Sequence, residues 1–248
     1  MNTIVLAAQK GGCGKSTLAA SLAVAAMQEG RSVRLIETDP QGTLWNWQQR
    51  RACSVPGVDV ISDVVQLEQR LWIFSRQDVA VTIIDTASGI SPLTNAAIRR
   101  ADLCLIPVRP SIVDIEAVAP TLGTARASAR SFAFILNYAS NRGRRAGDAA
   151  AGLGDETAPD LGNVVAQPYI GTRVQHQDAF GKGLAVTEYA PTTESADEIR
   201  RLWQWVANRL NQTVPASARA ATKAAPGQTA RNPASIGKAS LPHRFMDF

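Results

Sequence analysis

The residues best equipped for chemistry stand together near the start of the chain, in Lys10-Gly11-Gly12-Cys13-Gly14-Lys15-Ser16-Thr17. Gly11, Gly12 and Gly14 carry no Cβ, so this backbone can fold back and aim consecutive N–H groups at a single anion. The helix that begins near Lys15 would add its positive end. The chemistry this permits is the cradling of a polyphosphate, with Lys15 reaching the β- and γ-phosphates and the Ser16 hydroxyl on Mg²⁺. A second stretch, Val79-Ala80-Val81-Thr82-Ile83-Ile84-Asp85-Thr86, reads as a central strand buried on both faces that delivers Asp85 to the same ion. Such a carboxylate usually acts through water, because Mg²⁺ gives up its hydration shell reluctantly. A third, Thr38-Asp39-Pro40-Gln41-Gly42, follows a predicted strand over 32–37. It places Asp39 where open α/β sheets bind ligands; the alternative is an aspartate that merely starts the turn before Pro40.

These side chains need strands that end at one rim and helices that cover them. The apolar run Ile4 to Ala8 supplies the strand before the glycines, and a helix follows through Met27, with Gly30 just past its end. Thr43 to Arg51 reads as a short helix whose Trp45 and Trp47 cannot share a face. Val58 to Ile61 reads as a strand, and Val64 to Phe74 as an amphipathic helix with Val64, Leu67, Leu71 and Phe74 on one stripe. A helix opened by Pro92, a strand over 103–108, a helix over 114–129 that Pro120 should split, and a strand over 132–136 ending at Asn137 continue the alternation. A helix over 144–153, a last core strand over 163–166 and an amphipathic helix over 195–210 complete it. The pattern predicts an α/β fold, a mostly parallel central sheet with helices on both faces.

Composition narrows the function. No apolar run approaches the ~18 residues of a membrane span, and no secretory signal opens the chain. Three widely spaced cysteines, Cys13, Cys53 and Cys104, suggest neither a disulfide framework nor a zinc site, and a reduced cytoplasm is the simplest home. The net charge of +5 invites a nucleic-acid partner, but the stretch from Pro215 onward holds five basic residues and one acidic one and so carries most of it. That stretch is too poor in apolar residues to form a core and reads as a disordered tail or an arm ordered on contact, which divides the chain into a domain over 1–212 and a tail over 213–248.

The loop departs from the generic phosphate-loop pattern, with Gln9 where a first glycine would stand and Lys10 ahead of the glycines. In this it resembles the deviant Walker A box of the ParA/MinD superfamily, and Asp85 then resembles its Walker B aspartate. Within that superfamily the chain looks most similar to short partition ATPases of the ParA type that lack an N-terminal DNA-binding domain. The resemblance implies a Mg²⁺-dependent ATPase that forms a homodimer around ATP. In it Lys10 reaches the nucleotide held by the partner subunit, Lys15 binds the phosphates, Asp39 joins Ser16 and Asp85 at the metal and orients or activates the attacking water, and Asn137 either contacts the adenine base or simply forms the turn at the strand end.

The resemblance further implies nonspecific DNA binding in the ATP state, and a nucleoid-associated location in the cytoplasm. A ParB-like or cargo-adaptor protein would trigger hydrolysis, and no membrane would be involved. The candidate DNA contacts are Arg173, Lys182, Arg200, Arg201 and Arg209. Two other readings compete: a membrane-surface positioning ATPase of the MinD kind, which would need a C-terminal amphipathic helix, and an iron–sulfur carrier, which would need cysteines placed for a cluster.

Overall fold

The computed structural model describes residues 1–140, 144–157 and 164–213. The tail from residue 214 onward, for which disorder is expected, lies outside the described residues. Six strands alternate with helices along the chain: β1 (Asn2–Leu6), α1 (Lys15–Gln28), β2 (Val33–Glu37), α2 (Thr43–Gln49), β3 (Gly57–Val60), α3 (Val64–Arg76), β4 (Val81–Asp85), α4 (Pro92–Arg100) and β5 (Leu103–Val108). There follow α5 (Ile112–Glu116), α6 (Ala119–Ala127), β6 (Phe132–Leu136), α7 (Arg145–Thr157), α8 (Val174–Gly181), α9 (Val186–Tyr189) and α10 (Glu194–Thr213). The strands form one all-parallel sheet in the order β3-β2-β4-β1-β5-β6.

The pleat sends successive side chains to opposite faces, and both faces are buried. Ile4 and Leu6 of β1 pack with Leu22, Trp47 and Trp203 on one side, while Val5 packs with Phe74, Ile98 and Phe134 on the other. Half of the buried residues of α1 are alanines, Ala19, Ala20, Ala23, Ala25 and Ala26, which lets it lie close between the sheet and α10. The indole N–H of Trp203 on α10 donates to Glu29 just past α1, at 2.8 Å. Gly30, at φ 79°, takes the left-handed turn that ends α1.

The break at Pro120 falls two residues early, at Ala117–Val118, and Pro120 enters the first turn of α6, where a missing N–H costs nothing. The last core strand expected over 163–166 requires correction. Phe134 N–H donates to Val164 and Ala166 N–H donates to Phe134, each at 2.8 Å, but this is an isolated bridge and not a seventh strand. Pro168 follows at once and has no N–H to extend a ladder.

The register builds the site. Leu6 of β1 and Glu37 of β2 both pair with Asp85 of β4, so three strands end in one row. The glycine loop, Asp85 and the Thr38–Gly42 turn therefore emerge side by side at the carboxyl rim of the sheet, where such folds bind ligands.

Candidate functional site

The loop between β1 and α1 takes the conformation that its glycines permit. Gly12 and Gly14 have φ of 70° and 91°, and Gly14 is the residue from which α1 starts. A Cβ on Gly14 would fall 2.3 Å from the Asn137 side-chain nitrogen. Asn137 is buried at the end of β6 and donates that nitrogen to the Cys13 carbonyl at 2.8 Å. Its amide therefore fastens the loop, a role that sequence reasoning did not assign to it. The Cys13 thiol is turned inward, and burial raises its pKa.

The two lysines occupy different environments. Lys15 is 7% exposed, and its ammonium donates to the Ser88 hydroxyl at 2.9 Å. The Lys10 side chain is 39% exposed and forms an ion pair with Asp114 of α5 at 3.7 Å. Lys15 thus sits inside the loop on a neutral partner that phosphate oxygens can displace. Ser88 belongs to the segment after the β4 aspartate and approaches Gly11 as well.

Asp85 is completely buried, and neither carboxylate oxygen has a hydrogen-bond partner. Burial pushes its pKa up to about 7, against the opposing pull of the Ser16 hydroxyl and the Lys15 ammonium. An orphaned buried carboxylate beside a hydroxyl, at the mouth of an anion loop, fits a hard cation. Among the described residues no cluster of three or more His, Cys, Asp or Glu side chains is placed to hold a metal. Mg²⁺ here would take most of its ligands from phosphate and water, as that ion prefers.

Glu37 and Asp39 divide the work of the adjacent turn. Glu37 is fully buried, its pKa raised by burial, and its two oxygens accept from the Leu44 and Trp45 amides at 2.8 Å each. It therefore caps α2 from the end of β2. Asp39 is half-buried, and its carboxylate accepts from the Gln41 amide at 3.0 Å. The turn reading is correct for the local structure, and the same turn holds Asp39 at the rim beside Asp85.

A cavity of about 240 Å³ opens beside the start of α1, lined by Thr17, Ser21, Asn137, Tyr138, Arg173 and His176 among others. Arg109, after β5, donates to the Gly12 carbonyl and lies over the Tyr138 ring with its guanidinium carbon 5.0 Å from the centroid. Ala87-Ser88-Gly89 resembles the family's switch segment after Asp85, but the motifs gave no signal for the bond from Lys15 to Ser88 or for Arg109 and Tyr138.

The candidate DNA contacts are less uniform than their sequence implies. Arg173 is held by Glu194 at 2.8 Å and by Glu198 at 2.9 Å. Arg200 pairs with Asp197 and donates to the Pro191 carbonyl, each at 2.7 Å. Exposed Lys182 rests over Tyr189, half-buried Arg209 over Trp205, and exposed Arg201 reaches the Asp197 carbonyl.

A parallel sheet with a glycine loop at its central strand, a buried lysine in that loop and a lone carboxylate on the neighbouring strand define a nucleotide-binding domain of the phosphate-loop class. The chain belongs to the family of the CobQ/CobB/MinD/ParA nucleotide binding domain, which matches residues 4–228. It is 35% identical over 125 residues, 49% of this chain and 55% of the other, to Protein ParA of Rhizobium radiobacter. It is 27% identical over 223 residues, 86% of this chain and 96% of the other, to the maintenance of carboxysome distribution protein A of Halothiobacillus neapolitanus. Among solved structures, an alanine variant of McdA from Cyanothece in complex with ATP superposes with a TM-score of 0.69 at 19% identity, covering 85% of this chain and 96% of that one.

Proposed function

We propose that this protein is a ParA-type partition or positioning ATPase, which dimerises around ATP, binds DNA without sequence preference in that state, and releases it when a partner protein stimulates hydrolysis. The cargo is plasmid DNA, chromosomal DNA or a protein assembly. The observation that carries this reading is the division between the two lysines of one loop, Lys15 buried on a neutral serine and Lys10 outward on Asp114. A loop that serves one phosphate tail alone has no use for the outer cation; a tail shared by two copies does.

The chain's residues divide the work. The amides of Gly11 to Ser16 and the Lys15 ammonium hold the phosphates and offset charge that develops on them. Ser16 and Asp85 would hold Mg²⁺, which when bound would offset negative charge on the phosphates. Asp39 orients the attacking water, and Lys10 supplies a cation to the opposite subunit's nucleotide, as an arginine finger does. The cavity beside Thr17 and Tyr138 takes the adenosine end, with Asn137 behind it.

Lys182, Arg200, Arg201 and Arg209 make the DNA-facing strip, with Arg173 joining only when it leaves Glu194 and Glu198. ATP favours the dimer to the extent that its γ-phosphate contacts stabilise that form over the monomer. The reading is tested by gel filtration and DNA retention with ATP, with ADP and without nucleotide. ATP alone should give the dimer and the retained DNA, and retention should fall steeply with salt as counterions are released. Equal retention in all three conditions would sink it.

A further inference from the structure

Arg109 is an exposed residue at the carboxyl end of β5, on the rim that carries the glycine loop. One N–H of its guanidinium goes to the Gly12 carbonyl. Among the described residues it has no carboxylate partner, whereas Lys10 is paired with Asp114 and Arg173 with two glutamates. A guanidinium has five N–H donors in a fixed plane, so most of its donors remain for another acceptor.

The surroundings fix where that plane lies. Its face rests on the Tyr138 ring, and Tyr138 adopts φ 57°, a left-handed conformation that a residue with a Cβ takes only when its surroundings hold it there. The Tyr138 amide is held there by the Asn137 side-chain oxygen at 3.0 Å, the same side chain that fastens Cys13. On the other side, a Cβ on Gly12 would lie 3.0 Å from the Arg109 nitrogen. Loop, asparagine, tyrosine and arginine thus form one packed unit around a positive charge that no carboxylate among the described residues pairs.

We propose that Arg109 is a phosphate-binding residue of the nucleotide site, adding a second fixed cation beside Lys15 for the phosphate tail of the nucleotide held by its own loop. The inference rests on the nucleotide-binding reading above and adds a residue that the loop motif does not contain. Planar multidentate donation suits phosphate oxygens better than a lysine would. The competing role is purely structural, a staple from β5 to the loop, and it makes a different prediction.

The test is titration of the full chain with AMP, ADP and ATP in the presence of Mg²⁺, for the wild type, R109M and R109K, with thermal melting as the check on folding. A phosphate contact gives R109M an affinity loss that grows with the number of phosphates, from little for AMP to about tenfold for ATP, with R109K in between. A staple gives the same loss for all three nucleotides; that outcome, or no loss, overturns the proposal. If R109M does not fold, modification of wild-type Arg109 by phenylglyoxal, read by mass spectrometry, replaces it. Protection by ATP but not by adenosine supports the contact, and equal protection or none overturns it. A wild type that binds none of the nucleotides fails at the earlier reading and takes this one with it.

Discussion

Lys10 and Asp114 face each other across 3.7 Å, the outer lysine of the glycine loop held by the first turn of α5. If Lys10 serves the opposite subunit, it must leave Asp114 when two copies meet. The pair is partly exposed, so its net worth is about 0.2–1 kcal/mol per copy, and releasing it in both copies shifts the dimer equilibrium by at most about thirtyfold. Asp114→Asn should therefore raise the dimer fraction with ATP modestly and leave the ADP-bound form monomeric. Sedimentation velocity across a concentration series measures this, and an unchanged or smaller dimer fraction contradicts the parked-lysine account.

Lys15 and Ser88 permit a sharper contrast. Lys15→Ala removes the buried ammonium and should abolish binding of ATP and its turnover. Ser88→Ala removes only the hydroxyl that occupies the ammonium in the free protein, leaving a buried cation short of a partner until phosphate arrives. A hydrogen bond to a charged group is worth about 1.5–3 kcal/mol, so Ser88→Ala should melt earlier without nucleotide and bind ATP at least as tightly as wild type. A fluorescent ATP analogue and a melting curve report the two effects, and weaker binding in Ser88→Ala would make Ser88 a nucleotide ligand instead.

Asp85 makes stability depend on pH. Its folded pKa of about 7 lies above its ordinary value of 3.8, so between these values the folded state holds a proton that the unfolded chain has released. By linkage its contribution to stability is complete below pH 4 and is lost as pH rises through 7. Asp85→Asn cannot lose that proton. The wild type should lose stability relative to Asp85→Asn as pH rises from about 4 to about 7 in urea melts without Mg²⁺ or nucleotide, and the two should run parallel above that. Curves parallel over the whole range would place the carboxylate in a wetter setting.

The two tryptophans of α2 should behave as opposites. Trp47 is fully buried and donates its indole N–H to the Leu184 carbonyl, while Trp45 is 42% exposed. Trp47→Ala should cost about 3–5 kcal/mol and Trp45→Ala within about 0.5 kcal/mol. Denaturant midpoints give both numbers directly.

Periodicity and strand-loop-helix order were sufficient to read the sheet, its helices and the loop, because those patterns record which side chains face the core. They identified Trp45 and Trp47 as residues of different faces and Gly30 as the end of α1. They did not separate a true strand from the short bridge at Val164–Ala166, since an apolar run looks alike whether its amides find one partner or many. Ser88 was legible as part of a switch-like segment but not as the partner of Lys15, and Arg109 was not legible at all, because each acts through a contact made across the fold. Asn137 shows the same limit, its place at a strand end evident and its partner, the Cys13 carbonyl, hidden.

Glu37, as the residue that grips the first amides of α2 from the end of β2, turns the five residues from Thr38 to Gly42 into a span tethered at both ends. Thr38 is pinned further by its bonds to the Asp85 carbonyl. Motion that begins at Asp39 has little slack to absorb it. It dies within that short arc, or it levers the whole helix and reaches Leu184 through the indole of Trp47.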